Sequence, residues 1–190
     1  VFKEHQDERR DLMAFLISLA ETARRDGIIA LQDIADNDPD LFLRKTIRLA
    51  VDGSSEEQIH TAMSIEIERM EEETEQARQV LEAAGGYAPT IGILGAVLGL
   101  IHVMENLGDP SKLGSGIAVA FSATVYGVAA ANMFFLPMAG KLRIRNFDKS
   151  VRWEMILATS SALVSGDNPR FLQDRLEGYL QKSQNSPVEV

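Results

Sequence analysis

The chain has 190 residues, a formal net charge of -9 and no cysteine. The acidic balance excludes a nucleic-acid binder, since phosphate recognition needs a concentrated basic face. Without thiols there is no disulfide or thiolate metal site, and His5, His60 and His102 lie too far apart in sequence for zinc-ligand spacing. No nucleophile, base and metal-spacing set converges either, so the chain does not read as an enzyme and calls for no cofactor.

Val1 opens straight into polar sequence without a signal-peptide pattern, so membrane insertion is read from internal segments. Leu12, Phe15, Leu16, Leu19, Ala20 and Ala23 recur at spacings of three and four and predict a helix stopped by Asp26-Gly27. A short segment follows from Ile28 to Ala35, and Asp36-Asn37-Asp38-Pro39 is a turn. Leu41, Phe42, Ile47, Leu49 and Ala50 then predict another short helix closing at Asp52-Gly53. Ser55 is a good N-cap.

From Glu56 onward, Ile59, Met63, Ile67, Met70, Thr74, Ala77, Leu81 and Ala84 form one continuous helical stripe. About 30 residues at 1.5 Å each give roughly 45 Å of stalk, expected to end at Gly85-Gly86. Its length favours packing against sister helices. The acidic run Glu71 to Glu73 reads as a solvated face.

The mean hydropathy of -0.06 averages over two different materials. Tyr87 to Met104 and Leu113 to Gly140 contain no Asp, Glu, Lys or Arg, while the remainder is crowded with charge. A bilayer core of roughly 30 Å needs about 20 apolar residues of helix, so the two runs predict a transmembrane hairpin. A pair of buried core helices is the competing reading, opposed by their length, pairing and flanking charge. Lys141, Arg143, Arg145, Lys149 and Arg152 follow the second run, whereas the connecting turn carries Glu105 and Asp109 against Lys112. The positive-inside rule therefore places both soluble parts in the cytoplasm and only a short turn outside.

Gly92, Gly95, Ala96 and Gly99 in the first run, and Gly116, Ala120, Ala123, Thr124, Gly127 and Ala131 in the second, form small faces that allow close helix packing. The polar groups inside are Thr90, Ser115, Ser122, Thr124, Tyr126, Asn132 and His102, and none is a carboxylate. A proton path normally needs an ionisable group within the membrane, so an essential acid would have to come from another chain. Pro89 opens the first run and Pro137 lies near the inner end of the second. Both fall at the cytoplasmic level of the membrane, where they bend, start or end helices.

Val151, Met155, Ile156, Ala162, Leu163 and Val164 continue a helix to Gly166, and Asn168-Pro169 introduces a last helix with Phe171, Leu172, Leu176, Tyr179 and Leu180 apolar. Ser183 to Val190 is expected to fray. The fold class is an all-α membrane protein: a cytoplasmic helical domain (1–54), a stalk helix (55–86), a transmembrane hairpin (87–140) and cytoplasmic C-terminal helices (141–190).

The stretch GGYAPTIGILGAVLGLIHVM (Gly85 to Met104), then Leu107-Gly108-Asp109-Pro110 and GIAVAFSATVYGVAAANMFFLP, resembles the MotA-type flagellar stator subunit. LRKTIRLAVDG (Leu43 to Gly53), the acidic helix after it and GDNPR (Gly166 to Arg170) carry the resemblance further. The chain is more distantly similar to the TolQ and ExbB proton-channel subunits, but the VDG element and the DP loop favour the flagellar branch. The resemblance implies a homopentamer in the inner membrane around the helices of two MotB-type subunits, whose aspartate carries the permeating ion. It also implies action on the rotor switch protein FliG through charges matching Arg44, Lys45, Arg48, Glu56 and Glu57. It assigns Pro89 and Pro137 to coupling and Thr124 to the ion route. Alanine at Ala96, where sodium-driven members carry threonine, favours the proton. Two further membrane helices are expected ahead of Val1 in this family. A TolQ- or ExbB-like subunit energising an outer-membrane system is the runner-up, and a non-conducting membrane scaffold is the third reading.

Overall fold

The computed structural model describes residues 2–182, and every element among them is helical. The expected frayed stretch, Ser183 to Val190, lies outside the described residues. The elements are α1 (Phe2–Asp26), a 3-10 segment (Ile28–Leu31), α2 (Gln32–Asn37), α3 (Leu41–Val51), α4 (Glu56–Glu105), α5 (Pro110–Ala129), a π segment (Ala130–Phe135), α6 (Leu136–Ser165) and α7 (Pro169–Lys182). Residues 1–71 and 147–190 make one compact unit and residues 72–146 another.

In the first unit the turns stand where the sequence places them, and for a backbone reason. Gly27, Gly53 and Gly166 adopt φ of +86°, +83° and +69°, a left-handed conformation that a side chain disfavours. Ser55 Oγ accepts from Gln58 N–H at 3.2 Å, while Gln58 Oε1 accepts from Ser55 N–H at 2.9 Å. This reciprocal pair satisfies two of the donors that a helix start leaves open. Asp40 caps α3 by accepting from Phe42 and Leu43 N–H, and its other oxygen takes Arg152 Nε at 2.9 Å.

The core of this unit gathers Leu16, Leu31, Leu43, Ile47, Ile59, Met63, Met155, Ile156, Leu172 and Leu176 from all its helices but α2, which contributes Ala35. Phe42 stacks on Trp153 with ring centroids 5.5 Å apart. Buried hydroxyls are satisfied within their own helices: Thr46 donates to Phe42 O at 2.8 Å and Thr159 to Met155 O at 2.9 Å. Arg9, itself buried, is paired with Asp148.

The second unit is the hairpin. Only 11% of the most apolar window of each long helix is buried, whereas the core helices of a soluble protein would be mostly covered. Ile91, Leu94, Leu98 and Ile101 on α4, and Val119, Phe121 and Val125 on α5, are exposed. That much apolar surface needs lipid or protein to cover it.

One expected break is absent, and another takes a particular form. The stalk stripe was expected to stop at Gly85-Gly86, but α4 continues through both glycines and through Pro89. A helical glycine costs only about 1 kcal/mol, and Gly85 is buried against Leu136, where an added Cβ would come within 2.7 Å of Leu136 Cδ2. The glycine is thus a packing site within a helix. At the other end, the chain answers Pro137 with a π segment, in which Leu136 N–H reaches back five residues to Ala131 O. The widened turn accommodates a proline that supplies no N–H and crowds the carbonyl four residues before it.

Candidate functional site

The hairpin seam is built from the glycines and alanines of α4 and α5. A Cβ on Gly92 would lie 2.9 Å from Ala123 O, one on Gly95 2.9 Å from Ala123 Cβ, and one on Gly99 3.0 Å from Ala120 Cβ. On the facing helix, a Cβ on Gly127 would lie 2.6 Å from Ala88 O, and one on Gly116 would collide with Val103. Two backbones approach this closely only where side chains are absent, which is the reason for small residues at these spacings. Gly92, Gly95, Gly99, Gly116, Ala120 and Gly127 therefore all lie in one seam.

Thr124 borders it. The Cα of Thr124 would be 3.4 Å from a Cβ on Gly92, and its hydroxyl, half-buried, donates to Ala120 O at 3.4 Å. Ala96 and Pro89 are half-buried on α4, and Pro137 is exposed at the start of α6. His102 stands at the turn end of α4, its Nδ1 3.8 Å from Glu105 Oε2, with both side chains 69% exposed. That is an exposed surface pair beside the turn between α4 and α5.

The predicted rotor charges lie on the first unit and fall into different situations. Arg44 makes no ion pair among the described residues and is half-buried on α3. Lys45 Nζ is held by Glu66 Oε2 at 2.8 Å, and Arg48 NH2 lies 3.1 Å from Asp36 Oδ1 and 3.2 Å from Ala35 O. Glu56 and Glu57 are exposed in the first turn of α4, where the helix dipole favours negative charge.

Glu66 was missed by sequence reasoning. It binds Lys45 and also Arg69 at 2.8 Å, and hydrogen bonds first from Lys45 and then from Arg69 pull its carboxyl below the usual range. A glutamate on an already acidic helix carries no local mark of such a role. Asp36 is likewise pulled down, chiefly by a hydrogen bond from Gln32 and secondarily by Arg48.

The model of the MotA/TolQ/ExbB proton channel family matches residues 34–155, a span that includes α3, α4, the hairpin and the start of the C-terminal helices. The chain belongs to the MotA/TolQ/ExbB proton channel family. It is 36% identical over 190 residues to Motility protein A of Treponema phagedenis, covering 100% of this chain and 73% of that relative. The MotAB structure from C. jejuni superposes with a TM-score of 0.86 and 34% identity, covering 94% of this chain and 69% of the matched one. The flagellar MotAB stator complex from Bacillus subtilis superposes with a TM-score of 0.82 and 32% identity over 92% of this chain.

Within the family, these matches fall on the flagellar branch. The chain is a MotA-type flagellar stator subunit and a membrane protein, in a family of proton channels rather than of enzymes. The TolQ- or ExbB-like role is not favoured.

Proposed function

We propose that this subunit conducts protons together with a MotB-type partner and converts their passage into torque on a FliG-type rotor protein. The observation that carries the reading is the hairpin. Its small-residue seam is tight, its outer surface is apolar and exposed, and its two apolar runs contain no carboxylate of their own. A path with no internal acid needs one from a partner helix, and a homopentameric ring around two such helices would supply both the acid and the cover for the exposed apolar residues.

In this reading residues 87–140 cross the inner membrane, residues 55–86 form the stalk, and residues 1–54 and 141–190 work in the cytoplasm. Thr124 lines the ion route, Ala96 fits proton rather than sodium drive, and Pro89 and Pro137 pass movement of the hairpin to the soluble helices. Arg44, Lys45, Arg48, Glu56 and Glu57 face the rotor. Lipid covers what the subunits leave exposed. The permeating proton is the only ligand required.

Arg44→Glu tests the rotor contact most cleanly, because Arg44 has no ion pair to lose among the described residues, whereas Lys45→Glu would also release Glu66. Swimming should fall several-fold with the stator complex still assembled, and unimpaired swimming would count against the rotor contact. Vesicles holding the complex should take up protons, and changing the partner's aspartate to asparagine should stop the flux. No flux in either sample would leave the scaffold reading standing.

A further inference from the structure

Past Gly140 the hairpin unit turns abruptly basic. Lys141, Arg143 and Arg145 are all exposed, and among the described residues none of them makes an ion pair. Their helix has one covered side: Ala139 is 2% exposed, and Leu142 and Asn146 are half-buried. At roughly 100° per residue, Ile144 points directly away from that side. Arg143 stands on one flank of it, and Lys141 and Arg145, four apart and so neighbours on the helix surface, on the other. Ile144 is nonetheless 41% exposed. An outward apolar side chain bracketed by cations suits an interface that is part hydrocarbon and part charge, where long basic side chains lay their stems along apolar surface.

The depth of this group follows from where the uncharged run ends. Lys141, Arg143 and Arg145 lie one, three and five residues past Gly140, roughly 2 to 8 Å along the helix. The headgroup layer on each side of a bilayer is roughly 5–8 Å deep, so all three fall within it. The acids of the neighbouring helix are already engaged. Gly85 of α4 packs on Leu136 of α6, which sets the two helices side by side. Inward from there, Arg78 holds both Glu82 and Glu75, Gln76 donates to Glu72, Ser150 donates to Glu71, and Glu73 has a partner of its own. A sister copy therefore brings no free carboxylate from this stretch of α4 to the cations. What stands at their depth is the phosphate layer of the membrane.

We propose that Lys141, Arg143 and Arg145 bind the phosphate groups of anionic phospholipids in the inner leaflet. Lys141 and Arg145 grip one headgroup, Arg143 takes a second on the opposite flank, and Ile144 sits between them. The lipid charge thereby fixes the depth of α6 where it leaves the membrane, directly after the π segment and Pro137. The inference rests on the reading in which residues 87–140 cross the membrane and residues 141–190 are cytoplasmic. It adds to that reading a lipid of stated charge and the side chains that select it.

The test uses the complete stator complex with its MotB-type partner. The complex is first recovered from vesicles after an alkaline wash, then titrated in detergent with phosphatidylglycerol or phosphatidylcholine while bound lipids are counted by native mass spectrometry. The unmodified complex should prefer phosphatidylglycerol, and Lys141→Gln, Arg143→Gln and Arg145→Gln should each lower that preference about fivefold. The double variant Lys141→Arg/Arg145→Lys, which keeps the charge, should retain it. Salt at about 1 M, which shortens the screening length to about 3 Å, should abolish it. Equal binding of the two lipids by the unmodified complex overturns the inference alone, as does a preference that survives removal of all three cations. Displacement of the lipid by soluble glycerol phosphate overturns it in favour of a free-phosphate site. Loss of a sister subunit from the single variants overturns it in favour of a subunit contact. Release of the unmodified complex by the alkaline wash overturns the membrane-crossing reading and this inference with it.

Discussion

Gly127 and Gly86 are both helical glycines of the hairpin unit, yet the same added methyl group would have opposite effects on them. At Gly127 it would meet the backbone of the facing helix, with Ala88 O at 2.6 Å and Gly92 Cα at 2.9 Å, and backbone cannot rotate aside. At Gly86 nothing lies within 4 Å, so the methyl would act only through helix propensity. Gly127→Ala should therefore destabilise the hairpin by about 1–3 kcal/mol, the usual range for overpacking. Gly86→Ala should be neutral or stabilising by up to about 1 kcal/mol. Circular dichroism on heating the purified complex separates the two, and a Gly127→Ala variant that melts with the parent would refute a tight seam. The seam was legible in the sequence because glycine and alanine at four-residue spacing have few other uses in an apolar helix. The π turn before Pro137 was not legible, because no propensity encodes it.

Among the elements, the caps were readable and the interruptions were not. Asp26-Gly27, Asp52-Gly53 and Gly166 end helices because their glycines take positive φ, a local demand that sequence records. Gly85-Gly86 and Pro89 carry the same local signal but lie inside one 50-residue helix. There tertiary packing on Leu136 outweighs a propensity cost of about 1 kcal/mol. Long-range ion pairs were equally hidden: Glu66 fastens α3 to α4 through Lys45, 21 residues earlier. Because its carboxyl is held below the ordinary value of 4.5, the folded state binds fewer protons at Glu66 than the unfolded chain. The stabilisation is then complete above that value and is lost as pH falls through the lowered one. A pair of this exposure is worth about 1 kcal/mol at most, or roughly 2–4 °C in a domain of this size. Acidification from pH 6 to well below 4.5 should therefore cost the parent up to that much more in melting temperature than it costs Glu66→Gln. Equal losses in the two proteins would show that the α3 to α4 fastening contributes nothing.

For the whole molecule, the proposed topology makes a prediction that composition happens to make easy to test. Residues 1–190 contain no cysteine, so a thiol introduced among them has no competitor there. Leu107 lies in the turn between α4 and α5 and is 56% exposed, and Ala77 is exposed on α4 where the stalk is proposed. The five basic residues from Lys141 to Arg152 would be pulled across an energised membrane only at high cost, while the turn carries two acids against Lys112. In intact cells a membrane-impermeant maleimide should label Leu107→Cys but not Ala77→Cys, and permeabilising the inner membrane should expose Ala77→Cys. The opposite pattern would invert the hairpin and place the proposed rotor charges, Arg44 among them, on the wrong side of the membrane for torque. Labelling of both thiols in intact cells would mean that residues 87–140 do not cross the membrane. The acid-free seam would then be a packing device in a scaffold, and the search for a proton path would have to leave this hairpin altogether.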